Sequence, residues 1–433
     1  MHYFYLFRRM INSGEKFNML KTPKGLRLQI GIFGKRNAGK SSLLNALVKQ
    51  DVVIVSNMPG TTTDPIEKAM ELPPIGPVLF IDTAGLDEDN TELGQKRKER
   101  SSAMIERCDL LLIVSDGNWN YIEDNLLSQA KTFNIPVCVV FTKADLGNTP
   151  SAQIINYLKS NNIQFVSVSS QTGDGIEHCL DAIIKLAPEE YFLSISMLED
   201  IVPAHSTVVL VVPIDKEAPK GRLILPQVQA IRDLLDHNST AVVTGIAQLN
   251  SILGNLKSPP DLVITDSQAF AQVSQIIPQN LPFTSFSILL ARMKGDIGII
   301  AKGAATLDHL HDGSVVLVAE ACTHHAIKDD IAKIKLPNLI QKKSGKHIQF
   351  EYVSGPDFPN DLSKYDLVLH CGSCTFNRRE VLARIAKCEQ QHVPFSNFGV
   401  ALAHLNGILE RALKPFPNAY LEFKSARTKN MLK

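Results

Sequence analysis

At 433 residues the chain is long enough for about three domains of the usual ~150 residues, so a single core is not expected. Hydrophobic residues make up 44% and charged residues 21%, with a net charge of +1; this excludes a general electrostatic pull toward nucleic acid or membrane and leaves any anionic partner to a local site. Apolar runs such as LLLIV and VVLVV are strand-sized, well short of the roughly 18 residues a bilayer span demands, and a soluble, cytoplasmic protein is expected.

Residues 1–25 open with MHYFYLFRRM, an aromatic patch followed by Arg8 and Arg9. The order lacks the basic-then-apolar run and small-residue cleavage site of a secretory signal, so a disordered or non-native extension is expected. From 26 to 188, apolar runs alternate with helical patterns, from LQIGIF and SSLLNALV to IQFVSVSS and GIEHCLDAIIKL. This is the rhythm of βαβ units on a buried, mostly parallel sheet. Cys108, Cys138 and Cys179 lie in periodic apolar segments and are expected in the core.

Within this region GKRNAGKS at 34–41 follows the strand LQIGIF and opens the amphipathic SSLLNALV, the context that the phosphate-loop pattern requires. Gly34, Lys35, Arg36, Asn37, Ala38, Gly39, Lys40, Ser41 and Ser42 are therefore expected to bind nucleotide. The glycines let successive N–H groups turn toward a phosphate, and the next helix points its positive end there. Lys40 is expected to reach the outer phosphates and Ser41 to ligate magnesium. DTAG at 82–85 follows the strand VLFI, placing Asp82 on the magnesium shell through water and Gly85 at the γ-phosphate. FTKAD at 141–145 brings Thr142, Lys143 and Asp145 to another strand end, where the Asp145 carboxylate can pair with two guanine N–H groups that adenine lacks. SSQTGDG at 169–175 offers, through Ser169, Ser170 and Gln171, backbone donors for the guanine carbonyl.

In order and spacing this set resembles the translation-factor-related GTPases, in particular the Era/TrmE-like branch. The resemblance makes PGTTTD at 59–64 the switch I segment, with Thr62 capping magnesium and sensing the γ-phosphate. Lys40, Thr62, Asp82 and Gly85 then become the catalytic positions, and Ser41 and Thr62 the Mg2+ ligands. Asn37 matches the position that helps bind a monovalent cation in potassium-activated relatives, so K+ is expected beside GTP and Mg2+. Two residues depart from the pattern: Thr142 stands where the branch usually has Asn, and Leu86 where a glutamine orients the attacking water. Slow, potassium-stimulated GTP hydrolysis, used as a switch, is the expectation.

Residues 189–204 lose the rhythm and contain Pro203, and a small α/β domain is expected over 189–283 from TVVLVVPI, PQVQAIRDLLDH, TAVVT and DLVITD. A third α/β region runs over 284–433, with its chemically distinctive residues at strand ends, where ligands of parallel sheets bind. Cys322, Cys371, Cys374 and Cys388 all lie there, an asymmetry that points to metal chemistry in a reducing compartment. EACTHH at 320–325 and LVLHCGSC at 367–374 combine into C-x-H, 45 intervening residues, then H-C-x-x-C. Neighbouring strand ends can bring Cys322, Cys371 and Cys374 together. Cys388, inside LARIAKCEQQ, reads as an ordinary helix residue. Thiolates with imidazoles suit a closed zinc site, while three thiolates with a replaceable fourth position suit a [4Fe–4S] cluster. A redox dithiol is a third filling, but it leaves Cys322 and both histidines without a role.

A GTPase of this branch followed by these cysteines resembles the HydF family of [FeFe]-hydrogenase maturation GTPases, over about Met19 to Pro417. The resemblance implies that 189–283 is a dimerisation domain, giving a homodimer, and 284–433 a cluster-binding domain. It implies a [4Fe–4S] cluster on Cys322, Cys371 and Cys374, with a fourth position open or weakly filled by His324, His370 or Glu320. There a transient cyanide-bearing diiron precursor, built by two radical-SAM maturases, is carried to apo-[FeFe]-hydrogenase. Arg378 and Arg379 are either a solvated helix face or partners of anionic precursor ligands. Two other readings compete: a related GTPase with a structural zinc module acting on RNA, and a redox protein. The first lacks a basic-aromatic patch, and the second would need a fourth cysteine. No nucleic-acid or membrane partner is expected.

Overall fold

A computed structural model describes residues 24–49, 66–83, 102, 104–191, 196–214, 223–321, 331–355 and 357–431. The extension expected over 1–25 lies outside them except at its last two residues. The chain divides into two compact units, Met1–Ser194 and Ile195–Lys433.

In the first unit six strands order as β2-β3-β1-β4-β5-β6: β1 (Leu28–Gly34), β2 (Ile66–Leu72), β3 (Gly76–Asp82), β4 (Leu110–Ser115), β5 (Val137–Phe141) and β6 (Gln164–Ser167). Every pairing is parallel except β2 with β3. Helices α1 (Lys40–Lys49), α2 (Tyr121–Thr132), α3 (Ala152–Ser160) and α4 (Ile176–Leu186) accompany it. β1 and β4 are buried at every residue, as continuous apolar runs covered on both faces should be. One core packs on each face, and Cys108, Cys138 and Cys179 are fully buried in them. In the register, Ile32 of β1 faces Asp82 of β3, which sets the start of the glycine-rich loop beside Asp82.

The second unit contains two four-stranded, all-parallel sheets. The first holds β7 (Thr207–Val211), β8 (Thr240–Thr244), β9 (Leu262–Thr265) and β10 (Phe283–Ser285), with α5 (Leu225–Asp236), α6 (Leu249–Asn255) and α7 (Phe270–Ile276) between them. α8 (Phe286–Lys294) and α9 (Ile297–Ala304) lead to the second sheet, of β11 (Val315–Glu320), β12 (Gln349–Ser354), β13 (Leu367–His370) and β14 (Phe395–Asn397). Its helices are α10 (Leu336–Ser344) and α11 (Arg378–Gln390), followed by α12 (Phe398–Leu405), α13 (Leu409–Ala412) and α14 (Pro417–Met431). β10 spans the boundary read from the sequence at 283.

The two sheets are copies of one plan. Each places its strands in the order second, first, third, fourth. Asp261, in DLVIT, accepts from Thr207 N–H at 2.8 Å, and Asp366, in DLVLH, accepts from Val315 N–H at 2.9 Å. PFTSF and PFSNF then close each sheet, and Ser285 and Asn397 cap α8 and α12 by accepting from Ile288 N–H and Val400 N–H. Residues from both halves share one core cluster, in which Phe270, Phe283 and Phe286 lie with Leu317, Val368 and Phe423.

Candidate nucleotide and metal sites

The loop between β1 and α1 must pass close to β4. A Cβ at Gly34 would lie 2.2 Å from the Val114 carbonyl oxygen, so only glycine fits there. Asn37 sits at φ +60° and is exposed at the loop tip, while Gly39 sits at φ +95° against Thr142. Lys40 is buried and folds back on the loop, donating to the carbonyls of Gly34 (3.0 Å) and Lys35 (2.7 Å). A phosphate would have to draw it away from those oxygens.

Ser41 Oγ donates to Asp82 Oδ2 at 2.7 Å, so the two side chains expected around magnesium already meet. Asp82 Oδ1 is buried with no hydrogen-bond partner among the described residues. Burial pushes the Asp82 carboxyl above its ordinary range, against the opposing pull of the Ser41 hydrogen bond, Lys40 and Lys68. A buried carboxylate oxygen lacking a partner, beside a hydroxyl, is a donor set that fits Mg2+ or its water shell. Thr62, Gly85 and Leu86 lie outside the described residues.

Thr142 is buried and its hydroxyl donates to the Ala38 carbonyl at 2.5 Å and the Ser115 carbonyl at 3.3 Å. The residue that replaces the usual Asn therefore ties the base segment to the phosphate loop. Lys143, at φ +59°, pairs with Asp116 at 3.6 Å, and Asp145 is exposed. Ser169 is buried in a turn where its hydroxyl accepts from Thr172 N–H at 3.1 Å and its N–H donates to the Asp174 carbonyl at 2.9 Å; Ser170 and Gln171 are nearer the surface. Sequence reasoning missed Glu123. This fully buried carboxylate accepts from Asn120 N–H at 3.0 Å and pairs with Lys35 at 3.3 Å. The capping pattern N-x-x-E at 120–123 was its available signal.

At the other candidate site, β11 and β13 are parallel neighbours with Ala319 opposite His370, so the segments after them start side by side. Cys371 donates its N–H to the Ala319 carbonyl at 2.9 Å, and its Sγ accepts from Ala321 N–H at 3.0 Å and Ser373 N–H at 3.5 Å. Two N–H groups aimed at one sulfur favour its thiolate. Burial works against them and pushes the thiol up to about 11. A bound metal ion supplies the missing positive charge and deprotonates a coordinating thiol, so this donor set fits a metal or cluster. Cys374, three residues on, and Glu320, at the end of the neighbouring strand β11, are half-buried, and both press electrostatically on Cys371. Cys322 and His324 lie outside the described residues; among the described residues alone no three His, Cys, Asp or Glu side chains converge as a metal site.

His370 is buried with both ring nitrogens engaged: Nε2 faces Arg384 at 2.9 Å, and Nδ1 faces the Cys371 carbonyl and Ser373 Oγ, each at 3.0 Å. Burial and the Arg384 cation push its pKa down to about 3. Arg378 donates to the Met293 carbonyl at 2.7 Å, which joins it to the end of α8, and Arg379 is half-buried. Cys388 is fully buried in α11.

Three family descriptions match the chain: 50S ribosome-binding GTPase over residues 29–143, Hydrogen maturase F dimerization domain over 197–295, and Hydrogen maturase F tetramerization domain over 298–415. The tRNA modification GTPase MnmE of Prochlorococcus marinus (strain NATL2A) is 35% identical over 162 residues, covering 36% of this chain and 34% of that protein. MnmE of Aquifex aeolicus (strain VF5) is 33% identical over 173 residues, covering 40% and 37%. The chain thus spans about a third of the length of the curated relatives it matches. Among solved structures, the G domain of the T. maritima FeoB iron transporter has 24% identity and a TM-score of 0.30, covering 37% of this chain and 98% of that chain. No helix among the described residues is long and apolar enough to cross a membrane.

Proposed function

The chain belongs to the hydrogen maturase F family, and on that premise we propose that this GTPase maturation factor is a cytoplasmic scaffold and carrier for hydrogenase metal assembly. It takes up a [4Fe–4S] cluster on Cys322, Cys371 and Cys374, accepts a diiron precursor from two radical-SAM maturases and delivers it to apo-[FeFe]-hydrogenase. The observation that carries the cluster reading is Cys371 Sγ, held by two backbone N–H groups at the end of β13 and beside the start of the segment that contains Cys322. When bound, the cluster supplies an iron whose fourth position can be exchanged.

In the first unit Lys40 draws the outer phosphates onto the loop, while Ser41, Thr62 and Asp82 order Mg2+ and Gly85 meets the γ-phosphate. Asn37, exposed at the loop tip, adds a K+ ion, and hydrolysis is slow because Leu86 offers no group to orient water. Asp145 selects guanine. The second unit assembles copies of the chain through 197–295 and 298–415, consistent with the descriptions matched there.

Anaerobic reconstitution with iron and sulfide, followed by absorption and EPR spectra of wild type and Cys371→Ser, tests the cluster. A reducible [4Fe–4S] signal lost in the variant is expected. Stoichiometric zinc with no such signal would return the reading to a zinc-bearing GTPase acting on RNA. Hydrolysis assayed in potassium and in sodium tests the cation.

A further inference from the structure

We propose that Arg384 is a positioning residue for the cysteine site and that His370, which it holds, supports the Cys371 loop instead of filling the fourth coordination position. This rests on the cluster reading above. Arg384 is 5% exposed and its guanidinium packs over the rings of Phe376 and Phe358, at 4.5 and 4.8 Å from their centroids. One of its nitrogens donates to the Gly355 carbonyl at 2.7 Å and the other meets His370 Nε2 at 2.9 Å. Guanidinium has donors only, so Nε2 must accept and the ring proton sits on Nδ1. Nδ1–H then donates to the Cys371 carbonyl and Ser373 Oγ, and Ser373 Oγ donates to the same carbonyl at 3.2 Å. These bonds hold Ser373 at φ +56°, the left-handed conformation from which its N–H reaches Cys371 Sγ. The chain of contacts runs from a helix on the sheet's face to the sulfur.

The repeated half of the same unit is an internal control. Thr265 takes the place of His370: it ends β9 opposite Val211 and Ser285, as His370 ends β13 opposite Ala319 and Asn397. Thr265 turns its hydroxyl to the Val211 carbonyl at 3.2 Å, and Asp266 follows where Cys371 stands. The next helical stretch there is a 3-10 turn at Ser267–Ala269 running into α7, whose 7 residues compare with 13 in α11, which carries Arg384. The two halves keep the same framework bonds and differ at the strand end. The Arg384–His370–Ser373 arrangement is therefore an addition to the half with the cysteines, beyond what the fold itself needs.

The test uses the full chain reconstituted with iron and sulfide as wild type, Arg384→Met, His370→Gln and the double variant. Cluster loss to an iron chelator is timed, and nitrogen couplings to the reduced cluster are read by pulsed EPR. Each single variant should lose iron roughly tenfold faster than wild type, the usual consequence of removing a group that orients a metal ligand, and the double variant should lose it no faster than either. Any imidazole coupling in wild type should survive in His370→Gln. A coupling present in wild type and lost in His370→Gln makes His370 a ligand and overturns the proposal, as do multiplying effects in the double variant. The wild-type and His370→Gln spectra decide the point even if Arg384→Met fails to fold, and unchanged GTP hydrolysis reports that the first unit is intact. Zinc uptake without a cluster in wild type overturns the cluster reading itself, and with it this one.

Discussion

Ser287 and Gly399 occupy equivalent positions in the repeated halves of the second unit, one after the cap of α8 and one after the cap of α12, and they touch each other. A Cβ at Gly399 would lie 2.4 Å from Ser287 Cβ and 2.5 Å from its Oγ. Two equivalent positions in contact mark a local two-fold relation, so the halves pack as a dimer would within one chain. Gly399→Ala is expected to destabilise the full-length protein by about 1–3 kcal/mol through overpacking, measured by urea unfolding. In a Ser287→Gly background the same change should cost much less. An equal cost in both backgrounds would mean that this contact is not the reason for glycine.

Much of the molecule was legible because its chemistry is local. Alternation of apolar runs and helices marked the α/β class and its parallel sheets, and Ser41 at the end of the glycine-rich loop meets Asp82 as their motifs imply. Cys371 likewise sits on a strand end beside β11. The repeat was hidden because only short pieces recur, DLVI beside DLVL and PFTSF beside PFSNF, while the shared plan lies in strand order and hydrogen bonds. Arg384 was hidden for a different reason. In a helix rich in Arg, Lys and Glu it reads as one more solvated cation, and its partners His370 and Gly355 lie 14 and 29 residues away.

The Thr142 hydroxyl reaches a loop carbonyl, so its loss should act on the phosphate loop and not on base choice. Thr142→Val keeps the shape and leaves the Ala38 carbonyl without this donor, a cost of about 1–3 kcal/mol. GTP, GDP and ATP affinities, measured by calorimetry or by fluorescent analogues, should weaken by similar factors. A selective loss of GTP over ATP would show that residue 142 reads the base.

Burial raises the Glu123 carboxyl above its ordinary range, opposed by its hydrogen bond from Asn120 and by Lys35. The folded unit thus holds this proton more tightly than the unfolded chain does. The contribution of Glu123 to stability is greatest below its unfolded pKa of 4.5 and falls as the pH rises through the raised folded value. Glu123→Gln removes that fall. Urea unfolding of both proteins at pH 5 and pH 8 should show the difference between them moving in the variant's favour at the higher pH, and movement in the other direction would count against a burial-dominated carboxyl.

β8 is the edge strand of its sheet, and Val243 on it is 48% exposed, as are Val228 and Leu235 of the adjoining α5 at 49% and 54%. An apolar edge of this kind invites pairing with another strand, and it lies within the segment matched as a dimerization domain. Val243→Lys should shift the protein toward monomer in sedimentation equilibrium without lowering its GTP affinity. An unchanged association constant would place the interface elsewhere.

Cys388 separates the site from the core around it. It is fully buried in α11, where burial pushes its thiol up to about 12, and it has no place among the strand-end sulfurs. Cys388→Ser should therefore leave iron and sulfide content unchanged after reconstitution while costing about 1–3 kcal/mol, because the new hydroxyl is buried in apolar surroundings. Cys374→Ser is expected to do the reverse: this half-buried sulfur follows Cys371 in the strand-end loop, so its loss should abolish stable cluster retention with little effect on unfolding. Colorimetric iron and sulfide assays alongside thermal unfolding compare the two. Loss of iron in Cys388→Ser with no change in stability would move the third sulfur into the helix and dismantle the strand-end site.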